Sequence, residues 1–237
     1  MTTKSPELPI FVCATADTNL AVGKRFTATN TTDTLQNTFA ESMGLREKNP
    51  IYIATGSLTK ICVAQPTQSG IVYANTVIAH KHQRLHMLTA DCIALALYCS
   101  QCHIHALSHV GWNTLCTKHI SRLVEKINTL HKCGKEYINV TCSPAICANC
   151  YINRGWRGVI KNYLLSLTNK HYQRQRSVNL RGIVIQHLIR AGIIAKHITL
   201  NATCTAEMPQ LSSYRRDGTN RTNANLTISG FTSRNKA

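Results

Sequence analysis

Two short runs in this chain carry residue types able to do chemistry together: Thr89-Ala90-Asp91-Cys92 and Ser108-His109-Val110-Gly111-Trp112. A cysteine thiolate and a neutral imidazole are ordinary donors to zinc, or to copper in its reduced state. Ser100 and Gln101 read as a turn between the two runs. If the flanking segments pair antiparallel about that turn, Cys92 and His109 stand directly opposite each other, with Cβ atoms about 5 Å apart. A catalytic zinc takes three protein ligands and keeps one position open for water, which it makes a nucleophile near neutral pH. Buried cysteine is also ordinary core, so spacing alone leaves both readings open.

Other thiols and imidazoles compete for attention. Two C-x-x-C pairs, Cys99/Cys102 and Cys147/Cys150, match the spacing of half a zinc site. They lie far apart in sequence and outside any zinc-ribbon context. Cys99 to His103 also fits the c-type haem attachment pattern, a chemistry that requires export. We read the first pair as ordinary thiols at a strand connection. His80, His82 and His86 precede Cys92, but six strand residues span about 20 Å, too far for one ion without a chain reversal. The 11 cysteines are odd in number in a chain that is not small, which fits reduced thiols better than a disulfide framework.

The elements that must position these groups show in the hydrophobic pattern. Residues 51–62 and 70–79 are rich in strand formers, and 85–98 reads as one buried strand. Residues 103–110 resume as its partner, and Gly111 breaks the pattern. Ile120, Leu123, Val124, Ile127 and Leu130 recur at helical spacing, predicting a helix over 115–132 with Gly134 as its stop. A second helix is expected over 179–191, with Leu180, Val184, Leu188 and Ala191 inward and Gly192 ending it; a strand follows over 193–200. No repeat and no linker divides the chain, so we expect one mixed α/β domain over residues 1–237.

Lys and Arg number 27 against 10 acidic residues, a net charge of +17. A basic nucleic-acid-binding protein is one reading. The bases are spread along the sequence and aromatics make up only 6%, so compositional drift is the reading we prefer. A field of this sign still draws phosphate-bearing ligands. Residues 1–9 hold Lys4 and no apolar stretch before a cleavage site, and no apolar run is long enough to span a bilayer. These features lead us to expect a cytoplasmic protein without a membrane partner.

At Thr89–Cys92 and His109–Trp112 the chain resembles the YfiH-like family (laccase-domain, purine nucleoside phosphorylase), whose TADC and HAGW runs have matching spacing. The resemblance continues through Ser143-Pro144-Ala145-Ile146 and Cys150-Tyr151, residues 188–192, Cys204-Thr205, and Ser212-Ser213-Tyr214-Arg215-Arg216-Asp217 with Arg221. Asn19-Leu20 and residues 39–45 fit two further landmarks. It implies a single layered sandwich of mixed sheets flanked by helices. It also implies metal-assisted phosphorolysis of adenosine, inosine, guanosine or methylthioadenosine, a transferase activity, with adenosine deamination, a hydrolase activity, beside it. Older naming calls the family polyphenol oxidases or laccases.

By the same resemblance, Cys92 and His109 are two of three ligands to zinc or copper, and Asp91 supports them. Arg215, Arg216 and Arg221 face phosphate, which enters beside a purine nucleoside. The family's third ligand, a histidine, corresponds to Thr55 here, and Asn75 and Asn113 also depart from its motifs. Hydroxyl is a poor zinc donor beside imidazole. The alternative reading is therefore a member that keeps the fold and has lost catalytic power.

Overall fold

Strands in this chain are short because turns repeatedly pass the chain from one sheet to the other. The computed structural model describes residues 9–16, 50–55, 58–99, 101–152, 173–174, 177–218 and 224–231. Its strands are β1 (Pro9–Ala16), β2 (Pro50–Ala54), β3 (Ile61–Val63), β4 (Gly70–Tyr73), β5 (Thr76–His80), β6 (Arg84–Thr89) and β7 (Ile93–Cys99), then β8 (Ile104–Val110), β9 (Ile138–Cys142), β10 (Gln173–Arg174), β11 (Ser177–Val178), β12 (Ile198–Leu200) and β13 (Ala224–Phe231). The helices are α1 (Trp112–Leu115), α2 (His119–His131), α3 (Leu180–Arg190) and α4 (Tyr214–Asp217).

Among the described residues, a five-stranded sheet runs β1-β13-β6-β2-β4 and a six-stranded sheet runs β12-β9-β7-β8-β5-β3. Both mix parallel and antiparallel pairs. The architecture is the expected mixed α/β sandwich, but four strand readings differ from the structure. The strand expected over 193–200 is reduced to Ile198–Leu200 by a 3-10 turn over Ala195–His197. Residues 51–62, 70–79 and 85–98 each form two strands, one in each sheet. The crossing at 90–92 lacks both Gly and Pro. Asp91 makes it by adopting φ 84°, a conformation aspartate tolerates better than most residues. An uninterrupted apolar run cannot reveal such a turn.

The faces of the six-stranded sheet separate two apolar layers. Ile93, Leu95 and Leu97 of β7 point to the helices, joining Leu123, Val124 and Ile127 of α2 and Ile183, Val184 and Leu188 of α3. Ala94, Ala96 and Leu107 point instead to the five-stranded sheet, against Ile53, Leu85 and Met87. Small residues on that side let the sheets approach closely. Helix α2 ends on Lys132 at φ 48°, two residues before the expected glycine stop. Asn179 caps α3 by accepting from the Gly182 N–H at 3.0 Å. A disulfide joins Cys99 at the end of β7 to Cys133 beyond α2, correcting the expectation of reduced thiols there. No helix among the described residues is long and apolar enough to cross a membrane.

Polar groups are buried between these layers. His105 on β8 bonds Ser229 Oγ of β13 at 2.7 Å and the Gln83 carbonyl at 3.1 Å, stitching the sheets together. His119 Nε2 sits 2.8 Å from Thr76 Oγ1 and 3.3 Å from Ser108 Oγ, beside the buried Asn75. Burial lowers the pKa of His86 to about 3 and those of His105 and His119 to about 4. Each folded value lies below the unfolded one, so the unfolded chain binds more protons. The stability of these neutral histidines is complete above about pH 6.5 and drains away as pH falls toward 4. We expect the unfolding constant in urea to rise by up to about tenfold per pH unit for each such histidine across that window. His119→Gln, which cannot protonate, should flatten part of the slope; an unchanged slope would remove His119 from this role.

Candidate functional site

Geometry places Cys92 and His109 on one face, although not in the expected register. His109 pairs with Ala94, and Ile93 with Val110, so the alignment is two residues away from a direct Cys92–His109 pairing. The connection explains the slip: Cys99 pairs with Ile104, leaving residues 100–103 outside the ladder. Ser100 itself lies outside the described residues. Because side chains alternate with period two, an even slip preserves the face. Cys92 and His109 therefore both turn toward the five-stranded sheet, at the rim where β7 begins and β8 ends.

Gly111 keeps the space between them. A β-carbon there would lie 2.9 Å from Cys92 Sγ and 3.7 Å from His109 Cε1, so both side chains converge on one point. They open into a cleft of about 360 Å³ whose wall also includes Thr55, Trp112, Tyr151, Tyr214 and Arg215. Thr55 is exposed on that wall, at the position that the resemblance gives to the third metal ligand. The sequence reading assigned no role to Trp112 or Tyr151; their signal was adjacency to Gly111 and to Cys150.

Asp91 holds the cleft together from behind. Its Oδ1 accepts from Thr205 Oγ1 at 2.7 Å and its Oδ2 from the Arg215 backbone N–H at 2.7 Å. Its carbonyl accepts from the Ile146 N–H at 3.1 Å. Both carboxylate oxygens thus bond to the C-terminal segment, while the residue also lines the cleft next to Cys92. Arg215 lies with its guanidinium 4.8 Å from the Tyr151 ring centre and donates to the Ile152 carbonyl at 2.6 Å.

Arg216 behaves differently from its neighbour. Its Nε and Nη2 bind the Asp217 carboxylate, and its Nη1 and Nη2 donate to the carbonyls of Thr205, Met208 and Leu211. All five N–H groups face its own loop, and the residue does not line the cleft. Arg221, Asn19, Leu20 and residues 39–45 lie outside the described residues. His80 stacks edge-on against His131 and His86 against Tyr52, so neither joins Cys92.

Electrostatics favour neutral groups at the cleft floor. Burial lowers the His109 pKa to about 4, leaving an uncharged imidazole at neutral pH. Burial, and then the neighbouring Cys92, push Tyr151 up to about 12, so its phenol keeps its proton. Sulfur and imidazole fit zinc in kind, and the convergence of Cys92 and His109 over Gly111 would let both reach one ion. In number the set is one strong donor short, because Thr55 brings a hydroxyl and Asp91 is engaged elsewhere. Among the described residues, Cys147, Cys150, Cys204 and Glu207 cluster as four groups able to hold a metal, whereas Cys99, Cys102 and Cys133 cluster with Cys99 and Cys133 already joined as a disulfide. The two C-x-x-C pairs therefore belong to separate clusters.

Comparison with known proteins agrees with this architecture. The chain resembles solved structures of YlmD from Geobacillus stearothermophilus (TM-score 0.74, 19% identity, 95% of this chain and 92% of that one) and of the hypothetical protein YfiH from Bacillus licheniformis (TM-score 0.72, 16% identity, 84% and 80%). A Neisseria meningitidis protein of DUF152 is also similar (TM-score 0.66, 16% identity, 85% and 81%). No curated protein sequence matches the chain. The profile described as "Multi-copper polyphenol oxidoreductase laccase" matches residues 16–228. With that match over most of its length, on the YfiH-like sandwich just described, the chain belongs to the laccase-like YfiH/DUF152 family.

Proposed function

We propose that the cleft binds a purine nucleoside with phosphate and cleaves the bond between base and ribose, an enzymatic activity of purine nucleoside phosphorylase type held back by Thr55. The observation that carries this reading is the convergence of Cys92 and His109 over Gly111 in a cleft with aromatic walls and one arginine. Trp112, Tyr151 and Tyr214 offer flat apolar surfaces to a purine ring. Arg215, held on Tyr151, brings a charge-assisted donor to phosphate oxygens. His109, neutral at physiological pH, can accept a hydrogen bond or ligate through a ring nitrogen. Zinc or copper held by Cys92 and His109 would polarise a substrate oxygen or activate a bound water. With two strong protein donors, affinity for that ion should be low. Adenosine deamination is the finer reading of the same cleft. We place the activity in the cytoplasm; the free thiols of Cys62, Cys92 and Cys142 fit a reducing compartment, in which the Cys99–Cys133 bond would open.

Thr55→His decides between an enzyme limited by its third ligand and a member that has lost catalysis. On the first reading, the variant binds zinc more tightly and raises kcat/KM for inosine phosphorolysis about tenfold or more, read as hypoxanthine release. Cys92→Ser abolishes both effects. If Thr55→His binds zinc but neither it nor the parent releases base from any purine nucleoside, the impaired reading holds, as Thr55, Asn75 and Asn113 would favour. Should inosine fail to bind either protein, the nucleoside assignment falls.

Gly111→Ala probes the geometry separately. Its methyl would press on the Cys92 sulfur at 2.9 Å. We expect a loss of about 1–3 kcal/mol of stability together with loss of nucleoside binding. Unchanged binding by calorimetry would show that the cleft does not need this spacing.

A further inference from the structure

Outside the cleft, two short chain segments bring four metal-binding side chains together. One is Cys147-Ala148-Asn149-Cys150 and the other Cys204-Thr205-Ala206-Glu207. Both place donors three residues apart, the spacing that lets a tight turn aim two side chains at one point. The 147–150 segment closes in a turn, with the Tyr151 N–H donating to the Cys147 carbonyl at 2.9 Å. Opposite it, the Met208 N–H donates to the Cys204 carbonyl at 3.1 Å. Cys147 and Cys150 each reach Glu207 Oε1, at 3.3 and 3.4 Å, and the Cys147 N–H points at Cys204 Sγ at 3.2 Å. The four donor atoms all lie within 4.8 Å of one another. Ligands of a tetrahedral zinc with bonds of about 2.3 Å stand roughly 3.8 Å apart, so shifts well under an ångström per atom suffice.

We propose that Cys147, Cys150, Cys204 and Glu207 form a structural binding site for a divalent zinc ion, distinct from the Cys92/His109 cleft. Three sulfurs and a carboxylate suit that borderline-soft ion, and four protein ligands leave no position open for catalysis. The backbone is already arranged to receive it. Ala145 and Cys204 form a parallel bridge, and Arg181 donates to the carbonyls of both Ala145 and Thr203, fixing the two segments side by side. Cys204 is buried at the base and Glu207 exposed at the rim, giving the ion a path from solvent. Binding releases the thiol protons and cross-links the segment that carries Ile146 and Tyr151 to the one that leads to Arg215. The ion would thus clamp the wall of the cleft without entering it.

Cobalt(II) titration of the full, reduced, metal-stripped chain tests the assignment. Thiolate-to-cobalt charge transfer and strong tetrahedral d–d absorption should appear at one equivalent. Cys92→Ser and His109→Ala should leave that signal unchanged, which separates this site from the cleft whatever the latter's activity. Cys147→Ser with Cys150→Ser should abolish it. Glu207→Gln, at an exposed position where folding is not at risk, should weaken zinc competition about tenfold or more while the circular dichroism stays the same. Three results would overturn the proposal: no thiolate–cobalt band, a band kept at full strength in the double variant (whether it then belongs to Cys92 or to Cys99, Cys102 and Cys133), or a Cys147–Cys150 disulfide that persists under reducing conditions.

Discussion

The left-handed turn at Asp91 is the constraint around which the rest of the molecule is organised. At φ 84° the chain leaves the five-stranded sheet and enters the six-stranded one within a few residues. Such a conformation costs a non-glycine residue about 1–3 kcal/mol and persists only where its surroundings fix it. Here they do. The two carboxylate oxygens are held by Thr205 and the Arg215 N–H, and the carbonyl by the Ile146 N–H. One residue thereby fastens the start of β7 to two segments more than fifty residues away in sequence. Cys92 follows directly, and its aim is set by that turn.

Close packing between the sheets supplies the second requirement. Ala94 and Ala96 on the inner face let β7 and β8 approach the opposite sheet, while the larger Ile93, Leu95 and Leu97 fill the helix side. At the rim Gly111 leaves the room into which sulfur and imidazole turn. The cleft is therefore a defect in the sandwich that small residues create and Asp91 holds open. Around it stand the aromatic residues Trp112, Tyr151 and Tyr214, with Arg215 and the hydroxyl of Thr55.

Some of this was legible in the residues alone. The apolar spacing of Ile120, Leu123, Val124 and Ile127 located α2, and Asn179 with Leu180, Val184 and Leu188 located α3, because a helix repeats its buried face locally. Strand boundaries were less legible. Residues 85–98 read as one strand because strands buried on both faces carry no alternation to mark where one sheet ends. The direct pairing of Cys92 with His109 that a turn at 100–101 implies is shifted by two residues, because the connection takes up residues 100–103, and the shared face persists because the shift is even. Arg215 and Arg216 look alike in sequence, yet one lines the cleft and the other is consumed by Asp217 and three carbonyls.

The sequence by itself determined the family resemblance, the two longer helices, the alternation that puts Cys92 and His109 on one face, and the threonine at position 55. These follow from local periodicity and residue identity. Only the tertiary structure decided that Thr55 shares a cleft with Cys92, that the Asp91 carboxylate bonds to Thr205 and the Arg215 N–H, and that Glu207 completes a cluster with three distant cysteines. Those outcomes depend on contacts between segments far apart in the chain, brought together by sheet pairing and core packing, and no local pattern encodes such distances.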